Sequence, residues 1–354
     1  MGLFNDIDPI FFYHKSVKPL LAMGFNGVVT PSAVNSQQST VNSQQSTVNR
    51  QQSTVNSQQS TDFMGEIAAL GAAFVWALSS TIWQRVGQQL PAVVLNLLKG
   101  AIALFMLLAT VLILGKSLPA INPHILAMLL ISGALGIGIG DTAFFLVLKY
   151  LGARRTLLLE TLSPPLTALF GLIFLQENLS PIACTGILLT ICGVAWVIAE
   201  RTAETTLPSK HLWQGLAISL LGQTSHAAGA VLSRAAFTQI DIDPLWTAAL
   251  RLSGGIAVML CFLNPTNLDT FQQLKAPKIL GAIILAAFLG TYLGIFLQQT
   301  SLKYAPAGIA QSLSSTSPLF ILPLAVLAGE KVSLRAVVGV VAAIGGIALL
   351  LGLK

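Results

Sequence analysis

The chain has 354 residues, of which 54% are hydrophobic and only 9% charged, with a formal net charge of +6. A soluble domain carries about 25% charged residues, so a water-soluble globular protein is excluded and the long apolar runs read as membrane helices. In such a chain the positive excess belongs in cytoplasmic loops. No basic patch is interleaved with aromatics, so nucleic acid is not an expected partner.

The first 33 residues are weakly apolar. The stretch at 9–13 is too short to span a bilayer, and His14, Lys15 and Lys18 interrupt its continuation. No hydrophobic region is followed by a small-residue cleavage site, so no signal peptide is read. Residues 34–61 are four heptads: VNSQQST at 34, 41 and 55, and VNRQQST at 48. A coiled-coil seam needs two apolar positions in seven and this tract has one. Ser, Gln, Asn and Thr cannot bury a core, so residues 1–63 are expected to be a disordered tail. A translation start at Met64 would leave every apolar span intact.

From Met64 the chain is predicted to form ten apolar spans, at about 65–86, 92–115, 123–149, 153–175, 179–199, 212–236, 243–263, 277–303, 306–328 and 332–352, on the rule that about 20 residues cross a bilayer. The second five repeat the first. Gly136 and Gly140 recur as Gly290 and Gly294, a shift of 154 (290 − 136), and Ser163-Pro164 recurs as Ser317-Pro318 at the same shift. Glu177, Gly186 and Gly193 recur as Glu330, Gly339 and Gly346, a shift of 153 (330 − 177). Such a repeat has to be read first. The units are 64–199 and 212–352, joined by a polar linker at 200–211. Five spans is an odd number, so the second unit enters the membrane upside down. The expected fold is therefore an all-α membrane protein of ten transmembrane helices in two inverted five-helix repeats.

Loop Lys and Arg fall unevenly. One side takes Arg85, Lys149, Arg154, Arg155, Arg201, Lys210, Lys275, Lys278, Lys331 and Arg335; the other takes Lys116, Arg234, Lys303 and Lys354. The richer side is expected to be cytoplasmic, with both termini outside.

Small residues let membrane helices touch, so Gly136, Gly140, Gly290, Gly294, Gly186, Gly193, Gly339 and Gly346 read as packing positions. Proline removes an intrahelical hydrogen bond. Ser163, Pro164 and Pro165, and Ser317 and Pro318, are therefore expected to kink spans 4 and 9. Glu177 and Glu330 close those spans, with Ser180 and Ser333 capping the next helix. Cys184, Cys192 and Cys261 read as small buried hydrophobes.

Ionisable side chains inside spans cost roughly 2.5–3.5 kcal/mol each on insertion scales and mark function or ion pairing. Here they are Lys99, Asp141, Glu160 and Arg251. The two basic residues occupy corresponding places in the two units, which suits an anionic substrate or pairing with the acids. The acids have no acidic counterpart, since the aligned positions are Ile295 and Ser314, and intramembrane carboxyls commonly serve proton coupling. His226 is the type of side chain that titrates near neutral pH. Trp76, Gln223, Gln298, Gln299 and Gln311 need hydrogen-bond partners, either helices or substrate. No HExxH, GxSxG or clustered Cys/His signature is present, so neither an enzyme nor a metal or cofactor is expected.

The paired segments LSPPLTALFGLIFLQENLS and TSPLFILPLAVLAGEKVS, each followed by a G-x6-G helix, together with Lys99 and Arg251, resemble the ten-helix EamA-type branch of the drug/metabolite transporter superfamily. The resemblance covers about 65–352. It implies a multi-pass inner-membrane carrier with a central cavity, exporting amino acids, nucleosides or related metabolites. Lys99 departs from the Arg more usual at that position, and it lacks a fork for bidentate carboxylate binding. The expected function is secondary transport by alternating access. Its expected partners are the lipid bilayer and a small-molecule substrate, with protons as candidate coupling ion and a monomer or homodimer as assembly. The alternatives are a non-transporting membrane scaffold and, further off, a membrane-embedded enzyme.

Overall fold

The computed structural model describes residues 31–86, 90–117, 119–160, 162–199, 209–263, 277–317, 319–320 and 334–352, and no strand occurs among them. The chain divides into two units, 1–59 and 60–354. The first contains most of the heptad tract. The tract lies within helix α1 (Pro31–Val86). Between 32 and 61 there is neither Pro nor Gly, so no residue there breaks a helical ladder. Its described side chains, from Asn42 to Gln52, are exposed, as their polarity requires.

The second unit holds the apolar chain. Its helices are the rest of α1, then α2 (Ala92–Ile113), α3 (Pro123–Gly133), α4 (Thr142–Glu160), α5 (Ser163–Leu175), α6 (Pro181–Ala199), α7 (Ser209–Gln239), α8 (Pro244–Cys261), α9 (Pro277–Ala286), α10 (Gly294–Tyr304), α11 (Ala307–Ser314) and α12 (Leu334–Gly352). Two π-helical segments, Ala134–Asp141 and Ala287–Leu293, join α3 to α4 and α9 to α10. The helix starts follow from local chemistry. Asn122 and Asp243 cap α3 and α8 by accepting from the N–H groups of Ile125 (2.9 Å) and Leu245 (2.8 Å), and proline follows each cap, where its missing N–H is harmless.

Five described helices are long and apolar enough to cross a membrane: Phe63–Trp83, Ala92–Ile113, Pro123–Leu148, Pro244–Cys261 and Pro277–Tyr304. Ser163–Leu175, Pro181–Gly193 and Val337–Leu349 are shorter apolar helices. Large side chains such as Phe105, Leu112, Ile113, Phe174 and Val341 are well exposed on the outer surface, which in this composition means facing lipid. The three cysteines are exposed as well. They were expected inside the bundle, but an apolar thiol is equally at home against hydrocarbon. The chain is an all-α membrane protein.

Two boundaries differ from the sequence reading. The turn expected between spans 3 and 4 is absent, because α4 continues through Gly152 to Glu160; a single glycine weakens a helix without ending it. The first Ser-Pro motif stands at a helix start. Ser163 opens α5 with Pro164 in the first turn, where proline is tolerated. In the second copy α11 stops at Ser314 and turns at 315–316 before Ser317. Pro318 and Glu330 lie outside the described residues.

Helices α6 and α12, the last of each repeat, pack along their glycines. A Cβ on Gly193 would stand 2.5 Å from the Ala343 nitrogen and 2.7 Å from the Gly339 oxygen. One on Gly346 would stand 2.5 Å from the Thr190 nitrogen and 2.8 Å from the Gly186 oxygen. Lipid offers no hydrophobic drive for association, so this backbone contact is what holds the pair together. Gly193→Ala is expected to lower the melting temperature of the detergent-purified protein, at about 1–3 kcal/mol for overpacking. Gly281→Ala, where a Cβ meets nothing within 4 Å, is expected to leave it unchanged.

Candidate functional site

The two π-helical segments organise the interior. A π turn holds one residue more than an α turn and frees a carbonyl from the regular ladder, and in hydrocarbon that carbonyl needs a donor from elsewhere. In the first repeat the Asn96 amide on α2 donates to the Ile137 oxygen (2.9 Å) and to the Thr142 hydroxyl (2.9 Å). In the second, the Trp76 indole on α1 donates to the Gly290 oxygen at 2.7 Å. The four glycines seat side chains from neighbouring helices. A Cβ on Gly136 would lie 3.0 Å from the Arg251 guanidinium, and one on Gly140 would lie 2.8 Å from the His226 ring. Gly290 and Gly294 make the same room for Ser79 and Trp76.

These contacts surround a cavity of about 220 Å³ inside the bundle. Lys99, Asp141, Glu160, Arg251, His226, Trp76 and Gln223 all stand in its wall, as do Gln298, Gln311, Ser163 and Ser317. Gln299 does not. It is fully buried between α7 and α10 and accepts from the Ser233 hydroxyl at 2.5 Å, so it belongs to helix packing. Trp83, Phe144, Phe145 and Leu148 add an apolar wall, and Ser79, Ser80, Thr291, Ser314 and Ser315 add small polar groups. Asn96 escaped the sequence reading; its position three residues before Lys99, on the same helix face, was the available signal.

The charges are arranged unequally. Lys99 Nζ lies 2.5 Å from Asp141 Oδ2, with the two side chains 10% and 19% exposed. The same ammonium sits 5.2 Å over the Phe145 ring, within cation–π reach. His226 Nε2 is 3.5 Å from the other Asp141 oxygen. Lys99 and Asp141 therefore satisfy each other. Arg251 is different. It is 3% exposed, and its Nε and Nη1 find no hydrogen-bond partner among the described residues. A guanidinium in low dielectric without a partner is costly, and its planar fork suits a carboxylate or phosphate oxygen pair. Glu160 stands in the same wall, half-buried, with Asp141 as its charged neighbour.

Residues 63–199 and 213–352 each match the EamA-like transporter family. The chain is similar to the uncharacterized transporter YyaM of Bacillus subtilis (strain 168). The two are 27% identical over 222 residues, 62% of this chain and 70% of that protein. A protein of known crystal structure superimposes with a TM-score of 0.64 at 18% identity, over 81% of this chain and 96% of the other; that likeness concerns fold alone.

Breaking the buried pair from one side leaves a charge alone. Lys99→Met is expected to cost about 3–5 kcal/mol, read as a large drop in melting temperature. Adding Asp141→Asn is expected to restore much of it.

Proposed function

The chain belongs to the EamA-like transporter family, and we propose that it is a secondary transporter of the inner membrane, exporting a small polar metabolite with an anionic group by alternating access through the cavity. The observation that carries this reading is the buried Arg251 side chain, whose Nε and Nη1 find no hydrogen-bond partner among the described residues, in the wall of a cavity where Lys99 and Asp141 are already paired. A substrate carboxylate or phosphate completes its hydrogen bonds. The aromatic wall of Trp76, Trp83, Phe144 and Phe145 takes the substrate's less polar body. The serine and glutamine side chains serve its remaining donors and acceptors.

The Lys99–Asp141 pair, with His226 behind the aspartate, is the coupling group in this reading. Its carboxylate can exchange its lysine for a proton, and Glu160 in the same wall is the second acid. Both acids belong to the first repeat only, which supports assigning them to coupling rather than to the symmetric framework.

Comparing metabolites in the medium of overexpressing and deletion cells identifies the substrate. With that substrate, Arg251→Ala is expected to lose flux while inserting normally into the membrane; wild-type flux removes Arg251 from the site. In proteoliposomes with an imposed pH gradient, Asp141→Asn or Glu160→Gln is expected to abolish the gradient dependence of flux. Dependence unchanged in both variants refutes proton coupling through these acids.

A further inference from the structure

The cavity is one-sided. On α1 it is lined by the C-terminal portion, Trp76 to Trp83. On the long span ending at Leu148 it is lined from Gly136 onward, and on α2 by Lys99, in the first half of the helix. These stretches all lie toward the end of the bundle where α1 finishes and α2 begins. Toward the opposite end, where α2, α5, α7 and α10 finish and α8 and α11 begin, the wall reaches no further than Gln298, Arg251 and Gln311.

That opposite end is tied across the two repeats. Arg234 on α7 donates from Nε to Glu177 Oε1 at 2.8 Å. Its Nη1 donates to the carbonyls of Leu302 (3.0 Å) and Lys303 (2.7 Å), at the end of α10. The second carboxylate oxygen of Glu177 accepts from the Ala307 N–H, at the start of α11, at 2.9 Å. Glu177 comes from the first repeat and every other member from the second. The side chains of Arg234 and Glu177 are 18% and 15% exposed. Local structure fixes the glutamate. The preceding residue, Gln176, is in the left-handed region at φ 55°, and the Glu177 N–H returns to the Gly171 oxygen at 3.2 Å. A glutamine held there is uncommon and needs its surroundings to hold it. Around this network, Lys303 pairs with the exposed Asp241, and Lys116 pairs with Asp243.

We propose that Glu177 and Arg234 form the latch that closes this end of the transporter while the cavity is reached from the other, so that they are positioning residues for the transport cycle. This rests on the alternating-access reading above. A pair that spans the two repeats is broken or kept by their relative movement. A charge-assisted network is worth most where water is scarce. Glu177 and Arg234 do not line the cavity, so their effect on flux comes through which end is open and not through substrate contact.

The test reads accessibility and needs no substrate. In a chain with Cys184, Cys192 and Cys261 replaced by Ala, Ser315→Cys places a thiol in the cavity wall. Sealed vesicles of known orientation are then treated with a membrane-impermeant maleimide from either side. Glu177→Gln is expected to raise the labelling rate from the latch side by about tenfold and to lower it from the other, a shift in a two-state population. Unchanged rates on both sides, at an unchanged melting temperature, overturn the proposal and leave the pair purely structural. Should Glu177→Gln fail to fold, Arg234→Gln serves instead. The same shift in labelling of the Ser315→Cys thiol between the two sides is expected. Unchanged rates on both sides overturn the latch. If labelling shifts as expected while no metabolite moves, the transport reading fails and the latch stands. If Arg251→Ala loses flux while labelling never shifts, the latch fails and the transport reading stands.

Discussion

Inside a bilayer a backbone carbonyl that leaves its helical ladder has to be met by a donor from the protein, and most of this interior can be traced to that demand. Each repeat frees such a carbonyl in a glycine-containing π turn, at Ile137 and at Gly290, and each is answered by one side chain from the helix alongside, Asn96 or Trp76. Those donors fix how α2 and α1 lie against the π turns. The small residues that make the turns possible also leave room for Arg251, His226 and Ser79 to come close. The cavity follows, because side chains that fill the space over a glycine from one side hold neighbouring backbones apart on the other.

The same demand governs the charges. Five ionisable groups stand in one wall: Lys99, Arg251, His226, Asp141 and Glu160. Had they paired off completely, the cavity would be an ion-pair core with no reason to admit anything. Instead Lys99 and Asp141 are matched at 2.5 Å while the Arg251 nitrogens are left over. The imbalance is local to this wall.

Much of this was legible in the chain. Composition marks a membrane protein, because so low a charge content has no soluble solution. The two copies are visible because glycine, proline and glutamate are each hard to replace where backbone approach, helix breaks or span ends require them. The cavity charges are visible because a bilayer makes them expensive anywhere else. What was not legible depends on rotation about a helix axis. Gln298 and Gln299 are neighbours of one chemistry, yet one faces the cavity and the other meets Ser233 between helices. The heptad tract has the polarity of a coil and, lacking any breaker, is helical.

The π turns also act as phase shifters. Successive residues of an α-helix are separated by about 100°, so the extra residue in a π turn re-indexes everything after it. Ser132, before the first turn, faces α7 and donates to the Gly229 carbonyl; Asp141, closing it, faces Lys99 and the cavity. One continuous span thus carries two registers, an upstream half keyed to its neighbour and a downstream half keyed to the interior. A one-residue deletion in this glycine-containing segment would leave the upstream register alone and swing the aspartate away from the cavity. Gaining or losing one residue at such a turn would therefore change which side chains face the cavity, with no change in the upstream packing.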